Sequence, residues 1–197
     1  MPAYITNVYQ CITGHSLGAQ TCGFFGKSYF EITGKKLTSI VGLDPAGPIF
    51  EENDQKKQKL YKDDADFVQV IHTDYKFLGH EASMGHIDYY LNGGEVQPAD
   101  ILSSCGYWTS KLSSVVNNYM GNICSHHYAY WFLAKMYNYP TLTCKITGDS
   151  GDQWYAIGDL LGKPGNQGMQ VSVESKTTKA IKDEKQRPTE YVNTLQC

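Results

Sequence analysis

An α/β fold, a mostly parallel sheet with flanking helices, is what the sequence predicts, and three observations carry it. A β-branched and aromatic run (YITNVYQCIT, residues 4–13) stops sharply at Gly14, a stretch of small and then aromatic residues (LGAQTCGFFGKSYFEI, 17–32) follows, and a second apolar run (KKLTSIVGLD, 35–44) ends in an acid. The first run reads as a short buried strand and the middle stretch as a helix packed closely on a sheet. From Ser16 to Asp44 is 28 positions, the length that a strand, a crossover helix and a parallel strand require.

Further elements continue this pattern. Residues 53–66 (NDQKKQKLYKDDAD) are charged and without a period, so they read as a solvated excursion. FVQVIHTD at 67–74 then supplies a third strand, and GHIDYYLN at 85–92 alternates in part before the Gly93-Gly94 pair turns it. Residues 95–123 repeat few signals and read as a long surface loop. SHHYAYWFLAKMY follows, with Ser125 as N-cap and Pro140 beyond its end, which predicts a buried helix of about three turns. The charged segment at 179–191 reads as a fraying tail.

Composition bounds the function. With 197 residues, 41% hydrophobic and 19% charged, one domain with a real core is expected. A net charge of -3 with a single arginine, Arg187, offers no phosphate-binding footprint, so nucleic acid is not an expected partner. No stretch approaches the roughly 18 consecutive apolar residues of a transmembrane segment, and the first residues (MPAYITNVYQ) lack a basic start and an apolar signal core. Six cysteines (Cys11, Cys22, Cys105, Cys124, Cys144, Cys197) nevertheless favour an oxidising compartment. The natural N-terminus is therefore expected upstream. Cys11 and Cys22, in an apolar strand and helix, read as free thiols.

The sharpest chemical signal is Gly14-His15-Ser16-Leu17-Gly18, a G-x-S-x-G between a strand and a helix. A serine at such a turn is held in a strained conformation that projects its Oγ from the sheet, as in the nucleophile elbow of the α/β-hydrolase fold. Ser16 is the candidate nucleophile, and the Leu17 N–H, at the helix N-terminus, the candidate oxyanion donor. A serine hydroxyl needs a base and a group to orient it, in chain order Ser, Asp or Glu, His. Asp44, ending a parallel strand just before Pro45, is the preferred acid over Asp66, Asp74 and Asp88. Among the histidines, His15 belongs to the elbow itself and points along the turn, His72 lies inside a strand, and His80 and His86 lie before and at the start of the GHIDYY segment. His126 and His127, opening the late helix, are the candidate bases; adjacent helical positions point about 100° apart, so one of the two faces the site. No metal site is expected, because ligand spacings such as C-x2-C are lacking, and no cofactor is called for.

The blocks GHSLGAQ, GLDPAGPIFE, DADFVQVIHTD, GHIDYYLNGG, QP and CSHHYAYWF occur in the order found in the pancreatic-lipase family, and over about residues 11–134 the chain resembles its arthropod and phospholipase A1 members. The resemblance implies an α/β-hydrolase fold with Ser16 as nucleophile, Asp44 as acid and His126, in the family's Cys-x-His place, as base. It implies that Cys105 and Cys124 form a disulfide closing a lid of 18 intervening residues, where Tyr107, Trp108, Leu112, Val115, Val116, Tyr119 and Met120 form an apolar face suited to lipid. Residues 1–144 would be a partial lipase domain lacking the first strands, since 15 residues precede Ser16 where the family has several strands and a second oxyanion donor, and 145–197 a weakly matching remainder. The implied activity is a secreted serine carboxylester hydrolase, a triacylglycerol lipase or phospholipase A1, acting on glycerolipid or phospholipid at a lipid interface. The other implied class is a lipid-binding or yolk-like storage protein, or a fragment, without turnover.

Overall fold

The computed structural model describes residues 11–51, 56–97, 114–138, 143–148, 151–156, 169–174, 176–177 and 195–196. Strand β1 (Cys11–His15), helix α1 (Leu17–Thr33) and strand β2 (Leu37–Leu43) form the expected unit, with β1 and β2 paired in parallel, Gly14 opposite Gly42. The part of the first run before Cys11 lies outside the described residues. Strand β3 (Ala65–His72) and strand β4 (Ile87–Leu91) extend the sheet in parallel. Gly93 and Gly94 take φ of 80° and 78° at the turn after β4, a left-handed backbone that glycine adopts without steric cost.

Three strands follow later in the chain: β5 (Thr143–Gly148), β6 (Gly151–Ala156) and β7 (Met169–Glu174). The sheet runs β1-β2-β3-β4-β7-β5-β6, with β7 parallel to β4 and antiparallel to β5. An α/β architecture with a mostly parallel sheet is thus observed, as expected. Parallel strands are covered on both faces, which is why β2 and β3 read as nearly continuous apolar runs. Ile40, Val68 and Val70 pack with Ala19 of α1, Leu37, Leu60, Ala65 and Met84 into one buried cluster, against which Ile12, Cys22 and Tyr29 lean.

Two expectations about connections are corrected. The charged segment before β3 is not wholly solvated: Leu60 is completely buried and Asp64 nearly so. Helix α1 approaches so closely that a Cβ at Gly26 would fall 2.3 Å from the Asp64 carbonyl oxygen. Lys27 Nζ lies 2.6 Å from the Asp64 carboxylate, and the Gln20 side chain accepts the Leu60 N–H. The small residues of α1 thus serve contact with this segment as well as with the sheet, while Phe24, Phe25, Phe30 and Ile32 turn outward.

The stretch before Ser125 is not a loop throughout. Helix α2 spans Ser114–Asn138, so Ser125 lies within it rather than capping it, and the helix has about seven turns rather than three. Nor is it buried all round: Trp131 and Tyr137 are 48% and 64% exposed. The latter part of the expected lid is therefore helical, while its first part, including Cys105, Tyr107, Trp108 and Leu112, lies outside the described residues. The 179–191 segment lies outside them too. Cys11 and Cys22 are free thiols, as expected.

Candidate active site

The strand-to-helix turn carries its strain at Ser16, whose φ of 58° and ψ of -124° are costly for any residue with a Cβ. The surroundings hold it there. The Ser16 N–H donates to the Leu43 carbonyl at 3.0 Å, and the Ser16 carbonyl accepts from Ala19 at 3.0 Å and from Ala46 at 3.2 Å. One residue is thereby tied to the end of β2 and to the turn after it. Gly14 is required by close approach: a Cβ there would sit 2.2 Å from the Gly18 carbonyl oxygen, inside the first turn of α1. The Ser16 side chain makes no capping bond, so it does not take up the first amides of the helix, that of Leu17 among them.

Asp44 stands at the C-terminal end of β2, fully buried, with φ of 40°. Its N–H donates to the Ile71 carbonyl at 2.6 Å, fixing it to the neighbouring strand. Its carboxylate is fully engaged. Oδ1 accepts the N–H of Thr73 at 2.8 Å and of Asp74 at 3.3 Å, while Oδ2 lies 2.6 Å from His126 Nδ1. The turn carrying Gly79 closes over it so tightly that a Cβ at Gly79 would come within 2.5 Å of Oδ1.

Of the two candidate bases, His126 is the one that reaches Asp44. It is 5% exposed, whereas its neighbour His127 points outward and is exposed. The structure therefore brings Ser16, Leu17, Asp44 and His126 to one edge of the sheet, with elbow, acid turn and base helix joined by hydrogen bonds. The excluded histidines have structural partners: His72 bridges the His80 carbonyl and the Asp88 carboxylate, and the His86 ring accepts the Val68 N–H. Cys124 is disulfide-bonded. Since Cys11 and Cys22 are free, neither is its partner, and the expected partner, Cys105, is outside the described residues.

Four residues here were given no role in the site from the sequence. Gln97 is buried and donates through its amide to the carbonyls of Thr73 and Leu91, while its own N–H donates to Ser125 Oγ. It thus ties the ends of β3 and β4 to α2 one residue before His126. Thr73 adds its N–H to Asp44. The third, His15, was expected to point along the turn, but its ring lies against that of His126. The fourth is Asp74, set aside as a weaker acid, which is fully buried with no hydrogen-bond partner for either carboxyl oxygen among the described residues. Asp44, Asp74 and His126 each place a donor atom within 4.8 Å of the others, the described set that could approach a cation. A hydrogen bond already joins two of the three.

Burial, reinforced by the charge of Asp44, pushes the Asp74 carboxyl up to about 8, so it is protonated at neutral pH and adds no second negative charge beside Asp44. The consequence for stability has a definite sign. An unfolded aspartate titrates near 4, so between about pH 4 and pH 8 the folded chain holds a proton that the unfolded chain has lost. Stability from this group is complete below that window and falls by up to about 1.4 kcal/mol per pH unit across it. Asp74→Asn is expected to melt above the wild type by a margin that widens from pH 5 to pH 8. Parallel melting curves over that range would assign the acid an ordinary titration.

A family model described as Lipase matches residues 6–139. Among curated proteins, the chain is similar to a phospholipase A1 of Vespula squamosa, 42% identical over 124 residues, covering 63% of this chain and 36% of that protein. It is also similar to a phospholipase A1 of Vespa velutina, 42% identical over 115 residues, or 58% and 32% of the two chains. Lipase member H-B of Xenopus laevis is 35% identical over 167 residues, 77% of this chain and 35% of that protein. The chain thus spans about a third of the length of these relatives. Among the described residues, no helix is long and apolar enough to cross a membrane.

Proposed function

Since the chain belongs to the lipase family, we propose that it is a serine carboxylester hydrolase that cleaves glycerolipid esters through an acyl-enzyme. The observation that carries this reading is the 2.6 Å bond between His126 Nδ1 and Asp44 Oδ2 at the sheet edge where Ser16 is held in its strained turn. With Nδ1–H donated to Asp44, the free lone pair of the imidazole is on Nε2, which can take the Ser16 hydroxyl proton. Ser16 Oγ then attacks the ester carbonyl, and the developing oxyanion is met by the Leu17 N–H and the positive end of α1. His126 returns the proton to the leaving alcohol, and water enters by the same route to release the fatty acid.

Triacylglycerol and phospholipid are both within this substrate class, and parallel assays of the two on emulsions and vesicles separate them. Pairing of Cys105 with Cys124 is the accompanying proposal; it would close the lid segment, and the disulfide at Cys124 fits an extracellular setting.

A serine-reactive fluorophosphonate tests the reading directly, because it requires an activated nucleophile and little acyl specificity. Attachment is expected at Ser16, located by peptide mass. A folded chain that is not labelled there, or is labelled at another residue, would overturn it.

A further inference from the structure

His15, the residue beside the nucleophile, makes its side-chain bond to the base rather than to its own turn. His15 Nε2 lies 2.9 Å from the main-chain carbonyl oxygen of His126. Its ring centroid is 4.5 Å from that of His126, and 5.4 Å and 5.6 Å from those of His127 and Tyr130 in edge-on arrangements. A carbonyl inside a helix keeps a second lone pair after its helical bond, so it can accept this extra donor. Thr73 Oγ1 reaches the same carbonyl at 3.5 Å, at the limit of a hydrogen bond.

We propose that His15 is a positioning residue, which sets the distance between the nucleophile turn and the base helix through its bond to the His126 carbonyl; the proposal rests on the hydrolase reading above. The geometry explains why one is needed. Asp44 holds the imidazole of His126 at a single point, Nδ1, and Gln97 ties the helix to the ends of β3 and β4; neither sets the separation of His126 from the Ser16 turn. His15 is covalently adjacent to Ser16, so its bond to His126 fixes the second coordinate, the separation of Ser16 from the base. The His15 ring also packs against the His126 ring and opposes its tilt.

The electrostatics suit a neutral donor. Burial, the largest influence, lowers the His15 pKa, and the neighbouring His126 and His127 lower it further, against the raising effects of the carbonyl bond and Asp44. A neutral His15 with its proton on Nε2 donates to the carbonyl without placing a second positive charge beside the imidazolium that His126 must become.

The test compares His15→Phe, which keeps a ring against His126 without a donor, with His15→Gln, whose terminal amide can donate from nearly the same place. His15→Phe is expected to lower kcat and the rate of fluorophosphonate labelling at Ser16 by about 10- to 100-fold with little change in KM, since a displacement of about 1 Å costs on that order. His15→Gln is expected to recover to within a few-fold of wild type. Equal loss in both variants, or no loss in His15→Phe, would overturn the proposal. A readout independent of turnover is the low-field proton resonance of His126 Nδ1–H, whose exchange with water should quicken at least tenfold in His15→Phe and not in His15→Gln. If wild-type Ser16 fails to label while that resonance responds as stated, the hydrolase reading fails and the positioning role stands; an unresponsive resonance refutes the positioning role whatever the labelling.

Discussion

Asp44→Asn is expected to lower kcat by about 10⁴-fold while leaving a folded chain, as measured by ester hydrolysis alongside circular dichroism. The size of the effect follows from how the carboxylate is held. Oδ1 accepts two backbone N–H groups, from Thr73 and Asp74. An asparagine must therefore keep its oxygen there and turn its NH2 towards His126. Facing a donor, Nδ1 of His126 becomes the acceptor and its proton moves to Nε2, the atom that must receive the proton of Ser16. The geometry survives and the tautomer is wrong, which in a Ser-His-Asp site costs about four orders of magnitude. The fold should tolerate the change because the backbone N–H bonds persist. A loss of less than about tenfold would mean that Asp44 does not set the protonation of His126.

The same acid shows what was legible in the sequence. Its place could be read because Asp44 ends a β-branched run and precedes a proline, so the C-terminal edge of a parallel strand was implied before any contact was known. Ser16 was legible for a similar reason: a strand, a glycine-flanked serine and a small-residue helix form a local signal that needs no tertiary knowledge. Helical position alone left His126 and His127 tied and the family's Cys-x-His place pointed to His126; in the structure it is the His126 ring that meets Asp44, while His127 is exposed.

What was hidden depends on contacts between distant segments. The start of α2 was missed because SVVNNYMGNI holds β-branched residues, asparagines and a glycine, poor helix formers that give no local sign of a helix. Ser125 looked like a cap, yet its hydroxyl accepts the Gln97 N–H inside the helix. Leu60 is a lone apolar residue among charges, and its burial follows from the closeness of α1 at Gly26, which no periodicity reveals. Asp74 and His15 were each legible as titratable residues and illegible as neighbours of His126, because the contacts to α2 close loops of more than fifty residues.

Ser16→Gly is expected to abolish hydrolysis and to stabilise the chain, and the pairing of these effects is the stronger claim. Removing the nucleophile of a serine triad costs on the order of 10⁶-fold in kcat, so Ser16→Ala and Ser16→Gly should be equally inactive. Their stabilities should differ. At φ of 58° and ψ of -124° a Cβ is strained, by about 1 to 3 kcal/mol for such a conformation, and alanine keeps that strain whereas glycine releases it. Glycine gives back about 0.5 to 1 kcal/mol through the freedom of the unfolded chain. A net gain of about 1 kcal/mol over Ser16→Ala should remain, visible as a higher denaturant midpoint at unchanged slope. The strain is maintained by bonds that do not involve the side chain, from Ser16 N–H to Leu43 and from Ala19 and Ala46 to the Ser16 carbonyl, so neither substitution relaxes it by rearrangement. If Ser16→Gly proves no more stable than Ser16→Ala, the turn is not under strain, and its left-handed backbone would have to be explained by packing alone.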